Sequence, residues 1–194
     1  MEQLDLLSHF ASHSHLIAVQ VNKAESIEEL SSIQKEQLYL VQSLNSKGVK
    51  VRYISKLVSE INAKVYEKVY ELTVPASLRE KAALIVMGSE GRHEQVLRTD
   101  QDNALVIDDN ADVDAFTAYM ETFSKHLETL GFPPCPGQVM VNNPLWCGNV
   151  TFFKERIDGW IDTFNEQGLQ SLSIFMDAQC ISGNNRLMDE LTEY

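Results

Sequence analysis

The chain has 194 residues, 44% of them hydrophobic, with a formal net charge of -12 and a pI near 4.8. That length buries one good core and at most a smaller second unit, and the acidity excludes a surface built to neutralise a nucleic-acid backbone or to lie on anionic lipid. No apolar run approaches the roughly 20 residues that cross a bilayer, and the start of the chain mixes Glu2, Asp5 and His9 with its leucines, so a cytoplasmic protein without membrane or nucleic-acid partners is expected.

Two helical patterns come first. Ser26 and Glu29 have capping-box spacing ahead of Leu30, Ile33, Leu38, Leu40, Val41 and Leu44, and Gly48 stands where a helix end favours a left-handed residue. A second stripe, Val51, Ile54, Leu57, Val58, Ile61, Val65, Val69 and Leu72, recurs at three- and four-residue steps until Pro75 stops it. The two are expected to pair as an antiparallel hairpin within a helical region of residues 1–75. After Pro75 the texture changes. Ala82–Met87 is a continuous apolar run of strand length that ends at Gly88 and Ser89, the mark of a buried strand closed by a tight turn. Residues 90–97 suit a short helix, with Glu90 and Glu94 early and Arg98 late, and Asn103–Ile107 reads as a second strand.

Asp108, Asp109 and Asn110 make a turn, and Val113–Leu130 is an amphipathic helix closing at Gly131, after which Pro133, Pro134 and Pro136 forbid regular helix. Gln138–Val141 reads as a third strand. Val150–Phe164 reads as a helix with Phe153, Ile157, Trp160, Ile161 and Phe164 on one side. Ser173–Ile181 fits both strand and buried-helix periods. Asn184–Leu191 looks like a helix that has only begun, so the domain of residues 76–194 is expected to be cut short at its C-terminal end.

Cys135, Cys147 and Cys180 are irregularly spaced and form no CxxC pair, which suggests buried apolar thiols in place of a disulfide framework or zinc site. His9, His13, His15, His93 and His126 lack ligand spacing; His13 and His15 flank Ser14 in a stretch that reads as solvated surface.

The chemistry concentrates in residues 88–102. A glycine at a strand end lets backbone approach a ligand, and the Ser89 hydroxyl beside the N–H groups that open a helix suits phosphate oxygens. Arg92, in the first turn, can offer its planar fork to a phosphate. Asp100 and Asp102, two apart at the start of a strand, share one face at roughly 7 Å along the backbone, given a rise of about 3.3 Å per residue. Two such carboxylates can hold hard cations in common, the arrangement that clamps entering and leaving oxygens in phosphoryl transfer. Each piece alone also fits a turn, a cap or a surface ion pair; their order and spacing carry the reading.

Residues 88–107 resemble the signature of the DNA polymerase beta-like nucleotidyltransferase superfamily, glycine-serine followed at this distance by Asp-x-Asp on a strand. More narrowly, GSEGRHEQVLRTDQDNAL resembles the N-terminal part of the PII-protein uridylyltransferases and the related nucleotidyltransferases found behind CBS-pair and cyclic-nucleotide-binding-like modules. The helical region near 26–72, CPGQVMVNNPLW at 135–146, the helix containing Trp160, and IFMDAQCISG at 174–183 resemble that group in order, so the likeness covers nearly the whole chain.

The resemblance implies an α+β fold, an N-terminal helical hairpin packed on a mixed sheet with flanking helices. It implies a nucleoside triphosphate held by Gly88, Ser89 and Arg92, and Mg2+ or Mn2+ bound by Asp100 and Asp102. The superfamily adds a third carboxylate from a later strand: Asp177 is the candidate here, ahead of Asp108 and Asp109, although a cap or an ion-paired structural acid fits Asp177 as well. Glu94 and Gln95 belong to the same string; Glu94 would pin Arg92 or Arg98, and Gln95 the loop carrying Asp100. Trp146, Asn142 and Asn143 are candidates for the border of an acceptor or base pocket. Two departures stand out, Gln179 where relatives carry arginine and Asn184 where they carry aspartate.

The expected activity is transfer of a nucleoside monophosphate from UTP or ATP to a hydroxyl of a signalling protein, with a small-molecule acceptor as the variant within the enzyme class. A nucleotide-sensing module that regulates attached domains without turnover is the alternative, and a structural helical adaptor would bind no nucleotide at all.

Overall fold

A computed structural model of the chain describes residues 14–92, 100–163 and 165–194. Residues 14–23 form α1, followed by α2 (Ile27–Ser46) and α3 (Val51–Thr73). Ser26 starts α2 by accepting the Glu29 N–H on its hydroxyl at 3.2 Å, and the Glu29 carboxylate takes the Glu25 N–H at 2.8 Å, a reciprocal cap displaced by one residue from the usual box. Gly48 adopts φ +74° just past the helix end, as a left-handed terminator should. α2 and α3 fold back on each other, and the buried Gln37 amide donates to Asn62 Oδ1 across the pair at 3.1 Å. These residues stand about equally far from the connecting turn, which fixes the antiparallel register. The apolar stripes are narrower than the sequence suggests, because Leu38, Val51 and Leu72 are exposed.

The short α4 (Ala76–Arg79) leads into a four-stranded mixed sheet of β1 (Ala82–Val86), β2 (Asn103–Ile107), β3 (Cys147–Asn149) and β4 (Gln179–Gly183), in the order β3-β2-β1-β4. β1 is antiparallel to both β2 and β4, and β2 is parallel to β3. Every residue of β1 and β2 is buried because both faces are covered, which is why β1 reads as an unbroken apolar run. Leu84, Val86, Leu105 and Ile107 pack with α1, α2, α3 and α6 (Asp114–Thr129), joined by Tyr66, Phe123 and Phe132. Ala83, Ile85, Met87, Ala104 and Val106 pack on the opposite face with α7 (Val150–Thr163), α8 (Glu166–Met176) and α9 (Asn185–Thr192). The fold is therefore α+β, with the helical hairpin against one face of the sheet.

Three expectations change. Gln138–Val141 is not a strand: Gln138 has φ 58° after the prolines, and the segment is hydrogen-bonded to β2 through the Asn103 N–H to the Val139 carbonyl and the Val141 N–H to Asn103 Oδ1, with no strand ladder. The third strand is instead Cys147–Asn149, entered from a 3-10 turn at Pro144–Trp146. Ser173–Ile181 is both things in succession, the end of α8 and the start of β4. On α7, Phe153 and Trp160 are buried while Ile161 is exposed. Residues 93–97 of the expected short helix, and Phe164, lie outside the described residues; before them stands the one-turn α5 (Gly88–Gly91). Among the described residues no helix is long and apolar enough to cross a membrane.

Candidate active site

Val86 pairs with Asn103, and the Met87 N–H continues the ladder to the Asp102 carbonyl at 2.9 Å. Asp100 and Asp102 thus lead into β2, which spans Asn103–Ile107 as expected. Successive side chains alternate between the two faces. Gln101 faces α6, fully buried, its amide donating to the Ser124 and Phe132 carbonyls at 3.1 and 3.0 Å. Asp100 and Asp102 face the other way and line a cavity of about 730 Å³ between the sheet edge, α7 and α8.

Gly88 holds the turn beside them with φ +56°, and a β-carbon there would lie 2.5 Å from Asp102 Oδ2. Gly91 is as constrained, since its β-carbon would meet the Asp177 carbonyl oxygen at 2.1 Å. Only residues without a side chain fit these two approaches.

Asp100, Asp102 and Cys135 each bring a ligating atom to within 4.8 Å of the others. Burial raises the pKa of Asp102 above the ordinary carboxylate value, with the Asp100 charge adding to the rise; a hydrogen bond from Cys135 and the charge of Arg92 oppose it. Burial pushes the Cys135 thiol up to about 11, helped by Asp102. At neutral pH Cys135 is therefore a thiol donating to Asp102. The two carboxylates fit a hard divalent cation and leave positions for phosphate oxygens. Nothing in the spacing of Cys135 points to this place; the sequence alone suggests an apolar thiol.

Arg92 forms an ion pair with Asp177, which ends α8. Gln179 donates its amide to the Gly91 carbonyl at 2.6 Å, fastening β4 to the same turn. Asn184 caps α9 through the Arg186 N–H. Asp108 is engaged with Asn110, and Asp109 accepts the Thr151 N–H and hydroxyl at the start of α7, so both carboxylates serve turns and caps. Trp146 and Asn143 line the cavity, although the Asn143 side chain is occupied in its own loop by the Gln138 carbonyl and the Leu145 N–H; Asn142 is half-buried. His126 meets Thr73. Ser89 lies in α5; Glu94, Gln95, Arg98, His9, His13 and His93 fall outside the described residues. Arg156, which sequence reasoning passed over, also lines the cavity. Its signal was visible: Phe152, Arg156 and Trp160 recur at four-residue steps on one helix.

A family model described as "Putative nucleotidyltransferase DUF294" matches residues 35–167. The chain belongs to that family. The match runs from within α2 to the start of α8 and so includes the glycine-serine turn, the aspartate pair and Cys135. No curated protein and no solved structure gives a significant match. Family membership supports general nucleotidyl transfer with a nucleotide as substrate, and the cluster of Asp100, Asp102 and Cys135 is a place where a divalent metal could be held.

Proposed function

We propose that the chain transfers a nucleoside monophosphate from UTP or ATP to a hydroxyl of a protein acceptor in the cytoplasm, in the manner of the PII-protein uridylyltransferases. The observation that carries this reading is the convergence of Asp100 and Asp102 on the wall of one cavity, with the bare backbone of Gly88 against Asp102. Asp100 and Asp102 hold Mg2+ or Mn2+, which when bound supplies charge stabilisation to the phosphates. Gly88 admits the nucleotide close to the backbone, and Ser89 and Arg92 bind its phosphate oxygens. Arg92 exchanges Asp177 for phosphate, and the released Asp177 carboxylate takes the proton of the acceptor hydroxyl. That oxygen bonds to the α-phosphorus as the bond to the β-phosphate oxygen breaks, and pyrophosphate leaves. Residues 76–194 form the transferase unit in this scheme, and α1, α2 and α3 of the helical region assigned to residues 1–75 back its sheet.

The second reading, a nucleotide sensor without turnover, draws on the ion pairing of Asp177 and on Gln179 in place of arginine. Incubation with labelled UTP or ATP and Mg2+ separates the two. Pyrophosphate release that Asp102→Asn abolishes supports the enzyme, whereas tight binding without release in the unaltered protein supports the sensor.

A further inference from the structure

The cavity reaches from the acid pair to a cation that the scheme above leaves unused. On α7 the Arg156 guanidinium carbon lies 5.0 Å from the ring centroid of Trp160 and 5.6 Å from those of Trp146 and Phe152. Aromatic faces attract a cation without neutralising it. Arg156 Nε is buried with no hydrogen-bond partner, and among the described residues no carboxylate pairs with the side chain. Burial lowers its pKa below the ordinary arginine value, with no charged neighbour offsetting that cost. A partly desolvated guanidinium whose buried Nε lacks a partner is stabilised by a group that brings it negative charge and acceptor oxygens.

The lining leaves that role to a ligand. Among the described residues Arg156 is the one cation on the cavity wall, and the carboxylates there, Asp100 and Asp102, sit with Cys135 at the sheet edge. Asn165, which caps α8, and Gln167 and Gln170 within it also line the cavity and are neutral. A nucleobase edge offers acceptors without charge. A phosphate offers both, in the spacing that a guanidinium fork matches.

We propose that Arg156 is the receptor for a phosphate group of the donor nucleotide, an anion seat built on the aromatic wall of the cavity that Asp100 and Asp102 also line. This rests on the transferase reading, in which the polyphosphate enters this cavity with its metal.

The test is calorimetric binding of inorganic tripolyphosphate, UTP, ATP, uridine and adenosine, all with Mg2+, to the unaltered chain and to Arg156→Gln, Arg156→Lys and Asp102→Asn. Arg156→Gln is expected to weaken tripolyphosphate and both triphosphates by about tenfold or more, the scale of a lost charge-assisted bond, and to leave the nucleosides unchanged. Arg156→Lys keeps the charge without the fork and should fall between; it carries the test if melting curves show that Arg156→Gln does not fold. Equal tripolyphosphate binding by Arg156→Gln and the unaltered chain overturns the proposal, and if Asp102→Asn loses binding in the same series the metal site stands without it. Equal losses for nucleosides and triphosphates would also overturn it, assigning Arg156 to the base. Failure of the unaltered chain to bind any polyphosphate overturns this proposal and the transferase reading together.

Discussion

The Gly88 backbone stands against the Asp102 carboxylate so closely that a β-carbon at residue 88 would lie 2.5 Å from Oδ2. The turn and the carboxylate are therefore one mechanical unit. Gly88→Ala must both adopt φ near +56° and displace Asp102. The left-handed conformation alone costs about 1–2 kcal/mol for a residue with a β-carbon. A melting curve should show that loss, and the extra stabilisation by Mg2+ with nucleotide should shrink beyond it. A variant that is destabilised yet responds fully to metal and nucleotide would detach Gly88 from the site.

Asp102 gives a dependence on pH. Its carboxyl is raised from 3.8 in the folded chain, so protons are bound more tightly folded than unfolded. Its contribution to stability is then fully present below 3.8 and lost as pH rises through the raised value. In metal-free buffer, Asp102→Asn should melt at the same temperature or higher, with the margin over the unaltered chain widening as pH goes from acidic to neutral. Addition of Mg2+ should close the gap for the unaltered chain alone. A margin that narrows with pH would mean that Asp102 is a favourable structural charge.

Arg92 separates binding from folding. Its pair with Asp177 is part-exposed, so Arg92→Ala should change stability by less than about 1 kcal/mol. Nucleotide affinity should weaken by about 1.5–3 kcal/mol if the fork takes a phosphate. Unchanged affinity by calorimetry would leave Arg92 as a partner of Asp177 only.

Gln101 supports the carboxylates from the far side of the strand. Gln101→Leu removes both amide bonds to the Ser124 and Phe132 carbonyls and should cost about 1–3 kcal/mol in denaturant unfolding. It should also reduce the response to Mg2+ and nucleotide, because Asp100 and Asp102 flank it. Ser26→Ala is the contrast: loss of the α2 cap should cost about 1 kcal/mol and leave that response intact.

What the sequence determined by itself was local. Helix ends at Ser26, Gly48 and Pro75 follow from capping and from backbone limits that neighbours do not change, and β1 announces itself by an apolar run that only a sheet covered on both faces permits. The sharing of one face by Asp100 and Asp102 is a property of extended chain. Tertiary structure decided the rest. Gln138–Val141 has strand-like residues, yet the strand pairing goes to Cys147–Asn149 because β2 had one free edge and the proline-rich stretch enters at Gln138 with a left-handed backbone. The meeting of Cys135 with Asp102, of Asp177 with Arg92, and of Arg156 with Trp146 joins residues far apart in the chain or on separate elements. Such contacts depend on how α7 and α8 close over the sheet, and periodicity along a chain carries no record of that closure.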